Sequence, residues 1–161
     1  MNRVILLEQL KDFSIAATAD LVMPTKMQSG DEKQEFRTAE VYLMCLPDSR
    51  AATKKAPYIL HQFITGEDIQ MTGQHATSMA TVRTIFCVYS DDEQEGGLML
   101  LNLMERLRIE LLRKVVIGKQ FTLDLSAKLE VLAYPDDTAP YFAGEMVSTW
   151  ILPAVEREVV F

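Results

Sequence analysis

A chain of 161 residues, 48% hydrophobic and 24% charged, has the size and composition of one globular domain rather than of a disordered tail. Sixteen lysines and arginines against 23 acidic residues leave a net charge of −7. The only basic doublets, Lys54-Lys55 and Arg113-Lys114, are too small to replace counterions along a nucleic acid, so direct sequence-specific nucleic-acid binding is not expected. Apolar runs such as Leu98-Met99-Leu100-Leu101 stop far short of the ~20 residues of a membrane span. The N-terminal Val4-Ile5-Leu6-Leu7 meets Glu8 too soon to read as a secretory signal, so a soluble protein is expected.

Leu6, Leu10, Phe13 and Ala17 recur at helical spacing and predict a helix over residues 2–21, with Asn2 as N-cap. Met23-Pro24 ends it, because the residue before proline is biased away from the α region. Residues 25–37 are polar and read as a connection. Residues 39–46 alternate as a strand, with Val41, Leu43 and Cys45 opposite Tyr42, Met44 and Leu46, and a polar loop follows over 48–56. Residues 58–65 form the next expected strand, closed by Gly66-Glu67-Asp68, and 69–78 read as a loop or a hairpin extension. The strand expected over 80–89 is apolar on both faces and should be central in its sheet.

Ser90 and Glu93 fit a capping box, yet Gly96-Gly97 would each cost about 1 kcal/mol inside a helix. The long helix is therefore expected to start near Gly97, to bury Leu100, Leu101, Met104, Leu107, Leu111 and Val115, to pair Glu110 with Lys114, and to stop by Gly118. Strands are expected over 121–125, 129–134 and 141–152, the last with Phe142, Gly144, Met146, Ser148, Trp150 and Leu152 on one face. This order predicts a single α+β domain spanning residues 1–161, a mixed, mostly antiparallel sheet with two main helices packed on it.

The residue types for chemistry are thinly spread. His61, read as a strand surface residue, and His75 in a loop are the only histidines, and a zinc site would need more ligands. Cys45 and Cys87 sit in strands among apolar neighbours and read as buried free thiols, with a cross-strand disulfide as the alternative. Asp91, Asp92, Glu93 and Glu95 lack the spacing of a calcium loop and suit a helix start instead; Asp136-Asp137 suits a turn. No serine lies in a Gly-x-Ser-x-Gly elbow, and the glycines make no phosphate loop. No catalytic, cofactor-binding or metal residue is therefore assigned, and no cofactor. Tyr141, Phe142 and Trp150 make the C-terminal end aromatic, which suits a core strand or an interface. Nine methionines fit either adaptable contacts or core gaps.

Four stretches together resemble one family. They are Ala39-Glu40-Val41-Tyr42 leading to Leu46-Pro47; Pro57-Tyr58-Ile59-Leu60 followed by Gly66-Glu67-Asp68; the strand, turn and helix over 81–113; and Pro140-Tyr141-Phe142-Ala143-Gly144-Glu145-Met146 with Trp150, Pro153 and Arg157. They are similar to the tail-terminator (tail-completion, head-tail joining) proteins of long-tailed phages and prophages, over about residues 39–158. The resemblance implies a non-enzymatic virion protein at the head-tail junction, present in the host cytoplasm during assembly. It implies a ring homo-oligomer, typically a hexamer, that caps the tail tube, ends its polymerisation and docks the head. Its partners would be other copies of itself, the tail tube protein and the head connector proteins. A closed ring needs two different complementary patches per subunit, and the exposed strand edges and the polar stretches 25–37 and 68–78 are candidates. Three alternatives stand beside it: another head-tail connector protein, a small cytosolic α+β ligand-binding or regulatory domain, and an enzyme whose carboxylates meet only in space.

Overall fold

Two amphipathic helices lay their apolar stripes on one face of a curled sheet, and the alternation of the strands supplies the matching apolar layer. The computed structural model describes residues 2–27, 30, 33–47, 55–135 and 139–158. In chain order the elements are α1 (Arg3–Ala17), β1 (Met23–Pro24), β2 (Phe36–Arg37), β3 (Glu40–Leu43), β4 (Tyr58–Ile69), β5 (Thr77–Tyr89), α2 (Glu93–Lys114), β6 (Val116–Ile117), β7 (Phe121–Leu123), β8 (Glu130–Ala133) and β9 (Tyr141–Leu152). Among the described residues the main sheet has seven strands in the order β3-β4-β5-β9-β7-β6. β8 pairs with β9 beside residues 144–147, while β7 pairs with it further along, at Trp150 and Ile151. Among the described strands only β3 and β4 pair in parallel. The fold is the expected α+β class, and β5 is central, flanked by β4 and β9 along its length.

α1 starts as expected, with the Asn2 side chain accepting from the Ile5 amide at 2.9 Å. It ends at Ala17 rather than residue 21, because Thr18 caps it through bonds from its amide and hydroxyl to the Ser14 carbonyl. The buried face is Leu6, Leu7, Leu10, Ser14 and Thr18, so two polar residues stand where an apolar stripe would continue. The connection after α1 is more ordered than its polarity suggests. β1 and β2 pair as a short antiparallel ribbon, and Met23 is buried in the core. The loop expected over 48–56 lies mostly outside the described residues.

β4 runs through Gly66-Glu67-Asp68 instead of stopping there, and its ladder with β5 continues to the Ile69–Thr77 pair past a bulge between Phe63 and Thr65. Gly66 marks a close approach, not a turn: a Cβ there would lie 2.5 Å from Nε of Arg3, whose guanidinium crosses this strand to Asp68 and the Met79 carbonyl.

α2 also starts earlier than expected, at Glu93, with Asp92 as N-cap accepting from the Gln94 and Glu95 amides. Both glycines lie inside it. Gly96 is buried against Phe142 of β9, where a Cβ would sit 2.1 Å from the ring. The buried stripe is Gly96, Leu100, Leu103, Met104, Leu107 and Leu111. Leu101, expected inside, is 48% exposed, and Leu103 takes its place. Glu110 pairs with Arg113 at 2.7 Å rather than with Lys114, whose ammonium lies over the Phe13 ring of α1. Arg106 reaches Asp20 at 2.6 Å, a second tie across to the end of α1. The helix ends at Lys114 on Val115 (φ 61°), ahead of Gly118, whose φ of 57° serves the turn between β6 and β7.

β7 stops at Leu123, since Asp124 caps a single 3-10 turn at Leu125–Ala127. β8 covers Glu130–Ala133 of the strand expected over 129–134. β9 spans the expected residues, and Gly144, Met146, Ser148, Trp150 and Leu152 are buried toward the helices.

Candidate interaction surfaces

His61 was expected on a strand surface and is instead fully buried, under α1. Its Nε2 lies 2.7 Å from Ser14 Oγ and its Nδ1 2.7 Å from Thr84 Oγ1 of β5. The Ser14 hydroxyl donates to the Leu10 carbonyl at 2.7 Å, so it accepts from the ring. That assigns Nε2–H as the donor and leaves Nδ1 to accept from Thr84. Burial holds the imidazole pKa down to about 3 against an ordinary 6.5. A serine beside a histidine has the makings of a nucleophile and its base. Here both side chains are sealed inside the core, at 0% exposure, where the pair links α1 to β4 and β5. The sequence signal was available: Ser14 falls four residues after Leu10 on the buried stripe, and Thr84 lies between Val82 and Phe86 on the inward face of β5.

The acidic turn before α2 is occupied by local structure. Asp92 caps the helix, Asp91 accepts from the Tyr89 hydroxyl at 2.7 Å, and the Ser90 hydroxyl bonds within the turn. Among the described residues no three His, Cys, Asp or Glu side chains are placed to hold a metal. Asp136 and Asp137 lie outside the described residues. The two thiols are unpaired and differ: Cys87 is buried, which pushes its pKa up to about 11, while Cys45 is exposed, contrary to the expectation. Met44, at φ 67°, turns the chain out of β3 just before it.

The two faces of the sheet divide the aromatic residues. The helix-facing core holds Trp150, Phe86 and Phe121, with Phe13, Phe63 and Phe142 packed against it. All five tyrosines lie on the other side. Tyr58, Tyr89, Leu60 and Cys87 form a second buried cluster there, with the half-buried Tyr42, Ile85 and Tyr141 packed against it, and the exposed Tyr134 stands close enough to Tyr58 to affect its titration. Tyr42 and Tyr58 meet edge-on at 6.4 Å, and Tyr89 and Tyr141 at 5.5 Å. Burial raises the pKa of Tyr42 to about 12, helped by its hydrogen bond to Glu40, and pushes Tyr58 higher. Further along the same side the surface turns polar, where Arg83 donates to Gln62 Oε1 at 3.2–3.3 Å. Of the aromatic end read from the sequence, Trp150 and Phe142 therefore serve the core and Tyr141 the second face.

The end of the β4-β5 hairpin is a separate surface. Residues 64–75 are all exposed, and they include the apolar Ile64, Ile69 and Met71. β3 covers only Tyr58 to His61 of β4, so no strand pairs the outer edge of β4 beyond them among the described residues. Beside this end runs the segment after β9, with Val155 exposed and Arg157 bonded to Gln70 at 3.2 Å; a groove of about 440 Å³ lies between them and Arg3. A second groove of similar volume lies between α1 and α2, lined by the apolar Phe13, Ala17 and Ile109 and the charged Arg106, Arg113 and Asp20. No family model matches the chain, and no curated protein matches it.

Proposed function

We propose that this protein is a structural virion component, a tail terminator of a long-tailed phage or prophage, acting by assembly rather than catalysis. The observation that carries the reading is the possession of two unlike surfaces on one subunit. One is the rim of the tyrosine cluster, where Tyr134 is exposed and Tyr42 and Tyr141 are half-buried over a buried floor of Tyr58, Leu60, Cys87 and Tyr89; the other is the exposed end of the β4-β5 hairpin, where Ile64, Ile69 and Met71 stand among polar residues on an edge that no strand pairs among the described residues. A closed ring joins subunits head to tail and requires two different complementary patches, where a two-fold dimer needs only one. The stretches that carry the family resemblance also belong together in space. They form the neighbouring strands β3, β4, β5 and β9, together with α2 packed on β5 and β9.

In this reading the ring, a hexamer, sits at the head-proximal end of the tail tube, halts tube growth and receives the head connector. Light scattering on the purified chain across a range of concentrations tests it, with negative-stain images of the same fractions. The expected result is a species of six 18.2 kDa subunits that images as closed rings, alone or on added tail tubes. A strict monomer that leaves growing tubes uncapped would overturn the reading and return the regulatory domain as its successor. That domain would show itself by a melting temperature that rises with a bound metabolite.

A further inference from the structure

We propose that His61 is an acid-sensitive latch for α1: protonating its ring releases the helix from the sheet while β4, β5 and β9 keep their ladder. This inference is independent of the assembly reading. The geometry supplies three reasons.

First, the ring lies at one junction of α1 with the sheet, with one nitrogen on Ser14 of the helix and the other on Thr84 of β5. With Nδ1 accepting, the Thr84 hydroxyl spends its hydrogen on the ring. A proton on Nδ1 turns it into a donor facing a hydroxyl that was itself donating, and it places a positive charge in a dry core.

Second, among the described residues no carboxylate stands by to compensate. On α1 the charged groups Glu8, Lys11 and Asp12 are not buried, and Arg3 is turned to Asp68 at the far end of β4. On β3, Glu40 is exposed beside Arg37. On β4, Glu67 and Asp68 are exposed. On β5, Arg83 is turned to Gln62. Burial alone accounts for the behaviour of the imidazole.

Third, α1 can leave without breaking the sheet. It contributes no strand to the ladder, so its release breaks no strand pairing. Openings of single elements below the global unfolding energy are ordinary in such an arrangement.

The sign follows from linkage. The imidazole binds its proton more weakly when α1 is docked than when it is released into water, so the latch is fully closed above the released value near 6.5 and loosens as pH falls below it. Asp20, Asp68 and Glu105, which ion pairs and hydrogen bonds hold below their ordinary values of 3.8, 3.8 and 4.5, lose their contributions only in stronger acid. The interval between about 6.5 and 4.5 therefore belongs to the latch, and the population with α1 released should rise about tenfold per pH unit across it.

Hydrogen exchange read by mass spectrometry on the full chain, corrected for the intrinsic pH dependence of exchange, is the test. The expected result is protection over residues 6–17 that falls about tenfold from pH 6 to pH 5, with residues 80–88 and 142–150 unchanged. His61→Gln, which keeps polar contacts but cannot titrate, is expected to abolish that dependence. Loss of α1 and β5 protection in step would overturn the latch in favour of global unfolding, and α1 protection indifferent to pH would overturn it outright. If His61→Gln does not fold, the NMR titration of the imidazoles in the wild-type chain decides. A His61 ring that titrates near 6.5 with α1 still protected would refute the proposal.

Discussion

Replacing Trp150 with alanine is expected to destabilise the domain by about 3–5 kcal/mol, the range for deleting a fully buried aromatic side chain. Trp150 is the largest of the fully buried side chains, and it sits on β9 directly between Ala80 of β5 and Leu123 of β7. Both partners are themselves buried, so little can collapse into the space the indole leaves. The indole Nε1 also donates to Ser148 Oγ at 2.9 Å, and that hydroxyl is buried. Alanine therefore adds a stranded polar group to the cavity. Trp150→Phe separates the two effects: it refills much of the volume but still deprives Ser148 of its donor, and should cost about 1–3 kcal/mol. Thermal denaturation followed by circular dichroism reads both, at roughly 2–4 °C per kcal/mol for a chain of this length. A Trp150→Ala loss below about 1 kcal/mol would show that the β5-β9-β7 junction is not packed as described.

Gly96→Ala and Gly97→Ala should act in opposite directions although the residues are adjacent. At 97 the glycine is exposed and an added methyl meets nothing within 4 Å. Alanine there should stabilise by about 0.5–1 kcal/mol, the helix-propensity difference. At 96 the same methyl would sit 2.1 Å from the Phe142 ring, and either the ring or the helix has to move. Overpacking of this kind costs typically 1–3 kcal/mol. The clash is severe enough that a net loss of about 2 kcal/mol is expected despite the propensity gain. Phe142→Ala should restore much of that loss in the double variant, which a double-mutant cycle in denaturant measures as a coupling of about 1 kcal/mol or more. Additive single changes would mean that Gly96 is not held by this contact.

That glycine also shows where the sequence was legible and where it was not. β9 was readable to its ends because Phe142, Gly144, Met146, Ser148, Trp150 and Leu152 fall on alternate positions, and strand alternation is a local signal. The start of α2 was not, because the local penalty for two glycines is outweighed by packing against Phe142, a residue far along the chain. The length of β4 was misjudged for the same reason: Gly66 looks like a terminator until Arg3 of α1 is laid across it. His61 reads as a surface residue by polarity alone, and its burial follows only once Ser14 and Thr84 are seen to face it. Of the candidate surfaces, the exposed hairpin end was visible in part, as the polar run 68–78. The gathering of the tyrosines was not, because they come from β3, β4, β5, β9 and the end of β8, and only the strand order brings them together.

The separation of tyrosine from tryptophan makes the two sides of the sheet spectroscopically distinct. Excitation at the red edge of the aromatic band selects Trp150, which reports the space between sheet and helices. The tyrosine absorbance arises on the opposite side, since no tyrosine is part of the helix-facing cluster. A partner or a neighbouring copy settling on Tyr134, Tyr42 and Tyr141, the tyrosines that reach solvent, would alter the tyrosine absorbance and leave the red-edge indole signal as it was. Loosening of the helical layer would do the reverse, and unfolding would change both together. The unlabelled molecule thus distinguishes by its own optics which of its two sides an event has touched.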